Sequence, residues 1–371
     1  MKNVLIIGND FITIYNYRKE LVNYILSKYN VIILIPKDER SQYFEDLGCI
    51  VENLIISRFG MNPFSEIKTI KCIKKAIEKY NPLVCLTFTI KPNIYVGIAT
   101  RTNKVPFIAN ITGIGTKLYK KGIFSTALFF LLRYSLKNAS FIFFQNKSNM
   151  DLFKTKKVSS KNNNYVLIPG SGINVQEYEY SKIMPKNITK FVTVARLRKD
   201  KGYDELFDAI KIVYECNKNV EFHIVGWSED DSYLKKIEKL SKIYPIIYHG
   251  NKSKVEVKLI MKECDCLIHP SYHEGMSNVM LEASALGRPC IASNIPGCKE
   301  IVNDEISGFL FEVKNSIELS NKVLKFIQLD YIKKNEMGLN ARKHVEVNFS
   351  INKVIEKYMD AIEKIEKGNY K

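Results

Sequence analysis

The chain has 371 residues, 46% hydrophobic and 26% charged, with a net charge of +17. This balance excludes an intrinsically disordered chain and fits a soluble globular protein of two ordinary domains. No run approaches the roughly 20 uninterrupted apolar residues of a membrane span, and the apolar start Val4–Ile7 is too short for a signal peptide. The eight cysteines show no paired metal spacing, so a cytoplasmic protein in a reducing compartment is expected. The charge is uneven: residues 1–172 hold 25 Lys and Arg against 10 Asp and Glu, a net +15, and residues 79–150 contain ten basic residues and no acidic one. The first half is therefore suited to an anionic partner.

In chain order, VLIIGN (Val4–Asn9) predicts a buried parallel strand and Tyr15–Tyr29 an amphipathic helix. The apolar runs VIILIP, CIVENLII, LVCLTF, PFIAN, SFIFF and YVLIP follow, most of them separated by helical patterns. Strands alternating with helices at this pace predict a parallel sheet covered on both faces. Gly170–Tyr180, with Pro185 after it, has the glycine, polar and proline content of a linker. At Lys190 the pattern restarts with FVTVA, VEFHIVG, IIYHG, CDCLIHP, PCIAS and GFLFE as strands, and three helical stretches follow Asn315, the last over about Asn352–Lys367. Cys264 and Cys266 read as buried apolar residues facing one side of a strand. The expected architecture is α/β, with two Rossmann-like doubly wound domains facing a cleft. The first domain covers residues 1–172, a linker 173–189 and the second domain 190–350, and a C-terminal helix over 351–371 packs back towards the first domain.

Open parallel sheets bind ligands beyond the carboxyl ends of their strands, and two strand ends stand out. At the first, His273–Glu282 reads as a loop entering a helix, with Ser277 as N-cap and free amides that suit a phosphate. Glu274 would then take sugar hydroxyls, and Glu282 lies on the same side of the helix as Asn278. At the second, Arg196 and Lys201 flank a turn containing Lys199, Asp200 and Gly202, a pair suited to a diphosphate. Alone, the first stretch reads equally as a capped helix with solvated glutamates and the second reads more readily as a solvated basic turn, and only their combination favours a site. His223 and His269 read as core or wall histidines, His273 as a donor contact, and Trp227 as an exposed aromatic or a rest for a nucleotide.

R-x4-K at Arg196 and Lys201, E-x7-E at Glu274 and Glu282, and the surrounding PSYHEGMSNVMLEASALGRPCIASNIPG resemble the retaining, nucleotide-sugar-dependent glycosyltransferases of family 4, which have the two-domain GT-B fold. IYNYR (Ile14–Arg18) and NITGIGTKLY (Asn110–Tyr119) are similar, more narrowly, to the bacterial subgroup that builds capsule, O-antigen and lipid-linked oligosaccharides. The loop GNDFIT (Gly8–Thr13) departs from the pattern, lacking the Gly-Gly pair many members place near the donor phosphate.

The resemblance implies a hexose or N-acetylhexosamine moved from a UDP-sugar to a polyprenyl-diphosphate-linked sugar, with no metal or other cofactor and no protein nucleophile. It gives Arg196 and Lys201 the charge growing on the leaving diphosphate, Glu274 the transferred sugar and Glu282 the ribose. Gly275, Met276, Ser277, Asn278 and His273 would complete the donor side, and Asn110, Thr112, Arg18 and Asn16 would face the acceptor. Such acceptors lie at the inner face of the plasma membrane, where Lys117, Lys120, Lys121 and Arg133 could dock the chain peripherally; the other reading of Gly122–Lys137 is a core helix. A nucleotide-sugar epimerase of the same fold and a glycosidase are alternatives. A nucleic-acid-binding protein is suggested by charge alone and shows no recognisable module, so no nucleic-acid partner is expected.

Overall fold

In a computed structural model, residues 1–56, 63–114, 122–159, 164–228 and 231–370 are described. The chain forms two compact units, one from Met1–Gly172 with Ile351–Lys371 and one from Ile173–Ser350.

The first unit is built on β1 (Asn3–Ile7), β2 (Asn30–Ile35), β3 (Ile50–Asn53), β4 (Val84–Phe88), β5 (Phe107–Ile111), β6 (Phe141–Phe144) and β7 (Tyr165–Leu167). They lie in the order β3-β2-β1-β4-β5-β6-β7 with every pairing parallel. Nearly continuous apolar strands such as NVLII and VCLTF are buried on both faces, as a parallel sheet sandwiched by helices requires. The helices are α1 (Phe11–Leu26), α2 (Gln42–Asp46), α3 (Pro63–Tyr80), α4 (Ile90–Asn103), α5 (Ile123–Leu136) and α6 (Lys147–Thr155). Helix α1 starts four residues before the expected Tyr15, because the Asp10 side chain accepts from the Thr13 amide at 2.7 Å and caps it there. Helices α4 and α5 cross at Gly97, where a Cβ would lie 2.2 Å from the Ser135 carbonyl oxygen.

The second unit repeats the plan. Its strands are β8 (Thr189–Val194), β9 (Val220–Val225), β10 (Ile246–Tyr248), β11 (Cys266–His269), β12 (Cys290–Ser293) and β13 (Gly308–Phe311), in the parallel order β10-β9-β8-β11-β12-β13. Between and after them run α7 (Tyr203–Cys216), α8 (Ser232–Ser241), α9 (Lys254–Glu263), α10 (Asn278–Ala285), α11 (Ser316–Gln328) and α12 (Tyr331–Asn348). In both sheets the chain reverses its direction of winding beside the first strand, the topological switch at which such folds gather ligands.

Two expectations need correction. Residues 173–189 are not a free linker but part of the second unit. Tyr178 is buried, the Ile183 amide donates to Asn335 Oδ1 at 2.9 Å, and two arginines distant in sequence hold the segment. Arg342 donates to the Tyr178 carbonyl at 2.6 Å, and Arg288 to the Ser181 carbonyl and hydroxyl, each at 2.7 Å. Polar composition hid these anchors, since the backbone groups they satisfy carry no sequence signature. Cys264 and Cys266 do not share a face. β11 begins at Cys266, Cys264 caps the end of α9, and the two enter different cores.

Beyond Ser350 the chain belongs to the first unit again. Helix α13 (Ile351–Glu366) places one strongly apolar face on that unit's sheet, with Tyr358 fully buried against Phe143 at 4.6 Å between ring centroids.

Candidate active site

Two connections of the second unit meet at the carboxyl ends of β8 and β11. After β8 the chain passes Arg196 and makes a short turn over Lys199–Lys201. Gly202 closes that turn in the left-handed region at φ +72°. After β11 it runs through Pro270–Ser277 into α10. The two loops are laced together, since the Tyr272 amide donates to the Asp200 carbonyl at 2.9 Å. A Cβ on Gly202 would sit 2.0 Å from the Pro270 carbonyl oxygen. Behind them the Tyr272 hydroxyl donates to the Glu205 carboxylate at 2.7 Å, and the Tyr203 hydroxyl to the Ala195 carbonyl at 2.8 Å.

This lacing brings Lys201 to Glu274, with Nζ 2.6 Å from Oε1 and both side chains largely covered, 17% and 15% exposed. His269, the last residue of β11, places Nε2 3.1 Å from the same Oε1 and 3.2 Å from the Ser277 hydroxyl. Burial alone would raise the Glu274 pKa, but the Lys201 charge and the hydrogen bond from His269 outweigh it and hold the carboxyl well below the usual range. Glu274 is therefore a fixed anion. Both of these contacts fall on Oε1, and among the described residues Oε2 accepts no hydrogen bond.

Ser277 caps α10, its hydroxyl accepting from the Met280 amide. The helix N-terminus is narrower as an anion site than the sequence suggests. The Ser277 amide is taken by the Gly297 carbonyl at 3.1 Å, which removes it from the amides expected to hold a phosphate. Among the described residues, the amides of Asn278 and Val279 have no acceptor, as the first turn of a helix leaves them. Met276 is buried, His273 is exposed on the loop, and Arg196 is half-buried two residues beyond β8. Glu282, one turn into α10, has the opposite electrostatics from Glu274. Burial pushes its carboxyl above the ordinary value and Glu177 adds to that, while Lys254 and the Tyr178 hydroxyl work against it.

The sequence analysis treated His269 as a wall histidine and gave Ser271 no role, yet both face the Lys201–Glu274 pair, with Ser271 Oγ 3.5 Å from Lys201 Nζ. Their position at a strand end was the available signal. Trp227 is 38% exposed beyond β9. His223 and His249 stack on each other at 5.2 Å between ring centroids, away from the pair.

Two models of known families match the chain, "Glycosyl transferases group 1" over residues 174–344 and "Glycosyl transferase 4-like" over residues 4–146. The chain belongs to the glycosyltransferases. Among relatives, it is 24% identical, over 96% of this chain and 97% of the other, to the N,N'-diacetylbacillosaminyl-diphospho-undecaprenol alpha-1,3-N-acetylgalactosaminyltransferase of Campylobacter jejuni. It is 30% identical to the UDP-Gal:alpha-D-GlcNAc-diphosphoundecaprenol alpha-1,3-galactosyltransferase of Escherichia coli over 48% of this chain and 46% of that one. HepE of Anabaena, solved in complex with UDP and glucose, superposes with a TM-score of 0.80 at 17% identity, over 98% of this chain and 100% of that one. The fold of the glycosyltransferase is thus GT-B.

The residues expected on the acceptor side of the glycosyltransferase divide. Asn110 is fully buried, its side-chain amide donating to the Tyr358 hydroxyl at 2.5 Å while its backbone carbonyl accepts from the Asn93 side chain at 2.9 Å. Arg18 is 2% exposed, stacked 4.7 Å from the Phe88 ring centroid and donating to the Tyr17 carbonyl at 2.6 Å. Both are framework of the first unit rather than open contact residues. A strand-end position alone could not distinguish an asparagine that faces a ligand from one that ties in α13. Asn16 and Thr112 are half-buried. Lys117, Lys120 and Lys121 lie outside the described residues, and Arg133 is exposed on α5, donating to the Lys156 carbonyl at 2.7 Å.

Proposed function

We propose that the glycosyltransferase moves a hexose or N-acetylhexosamine from a UDP-sugar, with retention, to a polyprenyl-diphosphate-linked sugar at the inner face of the plasma membrane, in the synthesis of a capsule or O-antigen. The observation that carries the reading is the Lys201–Glu274 pair at the mouth of α10. A cation and two unfilled helix amides meet there, beside a carboxylate with one oxygen clamped and the other open. That is the charge distribution a sugar diphosphate needs. Lys201, with Arg196, takes the charge that grows as the glycosidic C–O bond to the diphosphate breaks. The open Glu274 oxygen accepts from hydroxyls of the transferred sugar, and Glu282 accepts from the ribose. No residue need form a covalent intermediate. The acceptor hydroxyl attacks on the face that the diphosphate leaves, and its proton passes to the departing phosphate oxygen.

The relatives support the acceptor class, since both are named for diphospho-undecaprenol sugars, and the E. coli relative is named for UDP-Gal. Both are named alpha-1,3 transferases, and an α product from an α-linked UDP-sugar is retention.

A thermal-shift screen of UDP-, GDP- and dTDP-sugars tests the donor. A UDP-sugar at 100 times its Kd is expected to stabilise the protein by about 2.7 kcal/mol, with GDP- and dTDP-sugars far less effective. No shift with any UDP compound discards the donor assignment. The raised carboxyl of Glu282 supplies a second test. Ionised Glu282 accepts two ribose hydroxyls better than the neutral acid, so UDP affinity should decline on acidification starting above the ordinary glutamate value of about 4.3. Glu282→Gln should remove that component of the profile. Calorimetric titrations of UDP across the acid range check this, and a variant with the wild-type pH dependence rejects the ribose role. The same shift lowers stability as pH rises through the ordinary carboxylate range, because folding then opposes ionisation.

A further inference from the structure

Helix α5 carries two apolar faces. Phe129, Leu132 and Leu136 enter the core of the first unit. On the opposite side Ile123, Ala127, Phe130 and Tyr134 recur at helical spacing and face outward, with Ile123 91%, Phe130 68% and Tyr134 45% exposed. A surface helix ordinarily turns polar residues outward, so this stripe calls for a covering partner.

The helix ends at a cavity of about 420 Å³ lined by Arg101, Lys104 and Lys137 together with Asn138, Ser140 and Asn164, with no acidic residue among the described residues of its wall. Its walls are the connections entering β5, β6 and β7, so it opens at the amino edge of the first sheet, the edge opposite the one where donor and acceptor are expected. The cavity and the stripe are one surface. The Arg101 guanidinium lies 3.7 Å from the ring centroid of Tyr134, the last apolar residue of the stripe, and Lys137 follows α5 directly as its cap.

We infer that this surface docks on an anionic phospholipid membrane, with the phosphate of a lipid headgroup held between Arg101, Lys104 and Lys137 and the outer face of α5 lying at the boundary between the headgroups and the acyl chains. The cations select the charge of the surface and the stripe selects its apolar interior, the combination that defines interfacial helices. A second copy of this chain is disfavoured as occupant, because it would bring the same three cations against each other. The geometry also gives docking a use, which rests on the lipid-linked acceptor proposed above. The 14 residues of α5 span about 21 Å, from the carboxyl edge of the sheet, where an acceptor would be met, to the headgroup cavity at the amino edge. A helix lying flat on the bilayer keeps the acceptor end at the membrane surface.

Co-sedimentation of the full chain with phosphatidylcholine vesicles, with and without phosphatidylglycerol, tests the inference. Binding to the anionic vesicles and not to the neutral ones is expected. Arg101→Gln, Lys104→Gln and Lys137→Gln should weaken it about fivefold for each cation lost. Phe130→Ser with Tyr134→Ser should remove the part that survives high salt. All variants should keep the wild-type melting temperature and its response to UDP, which reports on folding and on the other unit. Equal binding to neutral vesicles, or unchanged binding by the triple glutamine variant, overturns the proposal. Vesicle binding and the UDP response are read separately, so failure of one leaves the other standing.

Discussion

Lys201→Ala is expected to cut sugar transfer by about 10³-fold, the upper range for removing one preorganised group that stabilises a developing charge, and to lower stability by about 3 kcal/mol. The second effect comes from what the substitution leaves behind. Glu274 is 15% exposed and its charge is balanced mainly by Lys201 at 2.6 Å, so without the cation a covered carboxylate is left with the His269 ring as its remaining hydrogen-bond partner. Adding Glu274→Ala should then restore part of the lost stability while activity stays low, a coupling a double-mutant cycle in urea measures directly. The pH dependence has a fixed sign. The Glu274 pKa is depressed in the fold, so its contribution is complete above the ordinary glutamate value of about 4.3 and is lost as pH falls towards the lowered value. Lys201→Ala should make the acid limb of the stability profile shallower. Lys201→Arg should not restore turnover, since a planar fork cannot reproduce a point charge at this distance. Near-wild-type turnover by Lys201→Ala, or stability losses that simply add, would remove the pair from the reaction.

Much of the fold was legible because parallel strands buried on both faces leave uninterrupted apolar runs. LVCLTF and CDCLIHP each contain the observed strand, and VLIIGN misses only the first residue of β1, Asn3. Boundaries were less so: Asp10 starts α1 before its apolar periodicity begins, and β11 starts two residues into its apolar run. The anchoring of residues 173–189 was hidden, since Arg288 and Arg342 hold backbone carbonyls from more than a hundred residues away. In the candidate site the spacing of Arg196, Lys201, Glu274 and Glu282 named the charged groups but not their pairing. The Lys201–Glu274 contact depends on a loop crossing that only Gly202 and the Tyr272 amide reveal. His269 could have been raised from wall to site by its place at a strand end. Asn110 occupied the same kind of place and proved to be framework, so the rule locates sites without sorting their residues.

Gly202→Ala should be among the most damaging single-methyl changes in the second unit, lowering stability by about 3 kcal/mol and abolishing detectable UDP binding. Two costs combine there. The residue sits at φ +72°, where an L side chain is strained by about 1 kcal/mol, and its Cβ would meet the Pro270 carbonyl oxygen at 2.0 Å, a backbone atom with no rotamer to escape into. Relief requires the Lys199–Lys201 turn to part from the loop after β11. That parting breaks the Tyr272–Asp200 hydrogen bond and carries Lys201 away from Glu274. Gly48→Ala provides the comparison. Gly48 is also left-handed, at φ +92°, but nothing lies within 4 Å of its added Cβ, so only the strain of about 1 kcal/mol should appear and UDP binding should persist. Urea unfolding with UDP calorimetry on both variants separates the terms. Equal losses would mean that left-handed strain alone sets the cost and that the loop crossing does not position Lys201. A larger loss at Gly202 with binding abolished would identify the crossing as the element that assembles the cation and the carboxylate at the mouth of α10.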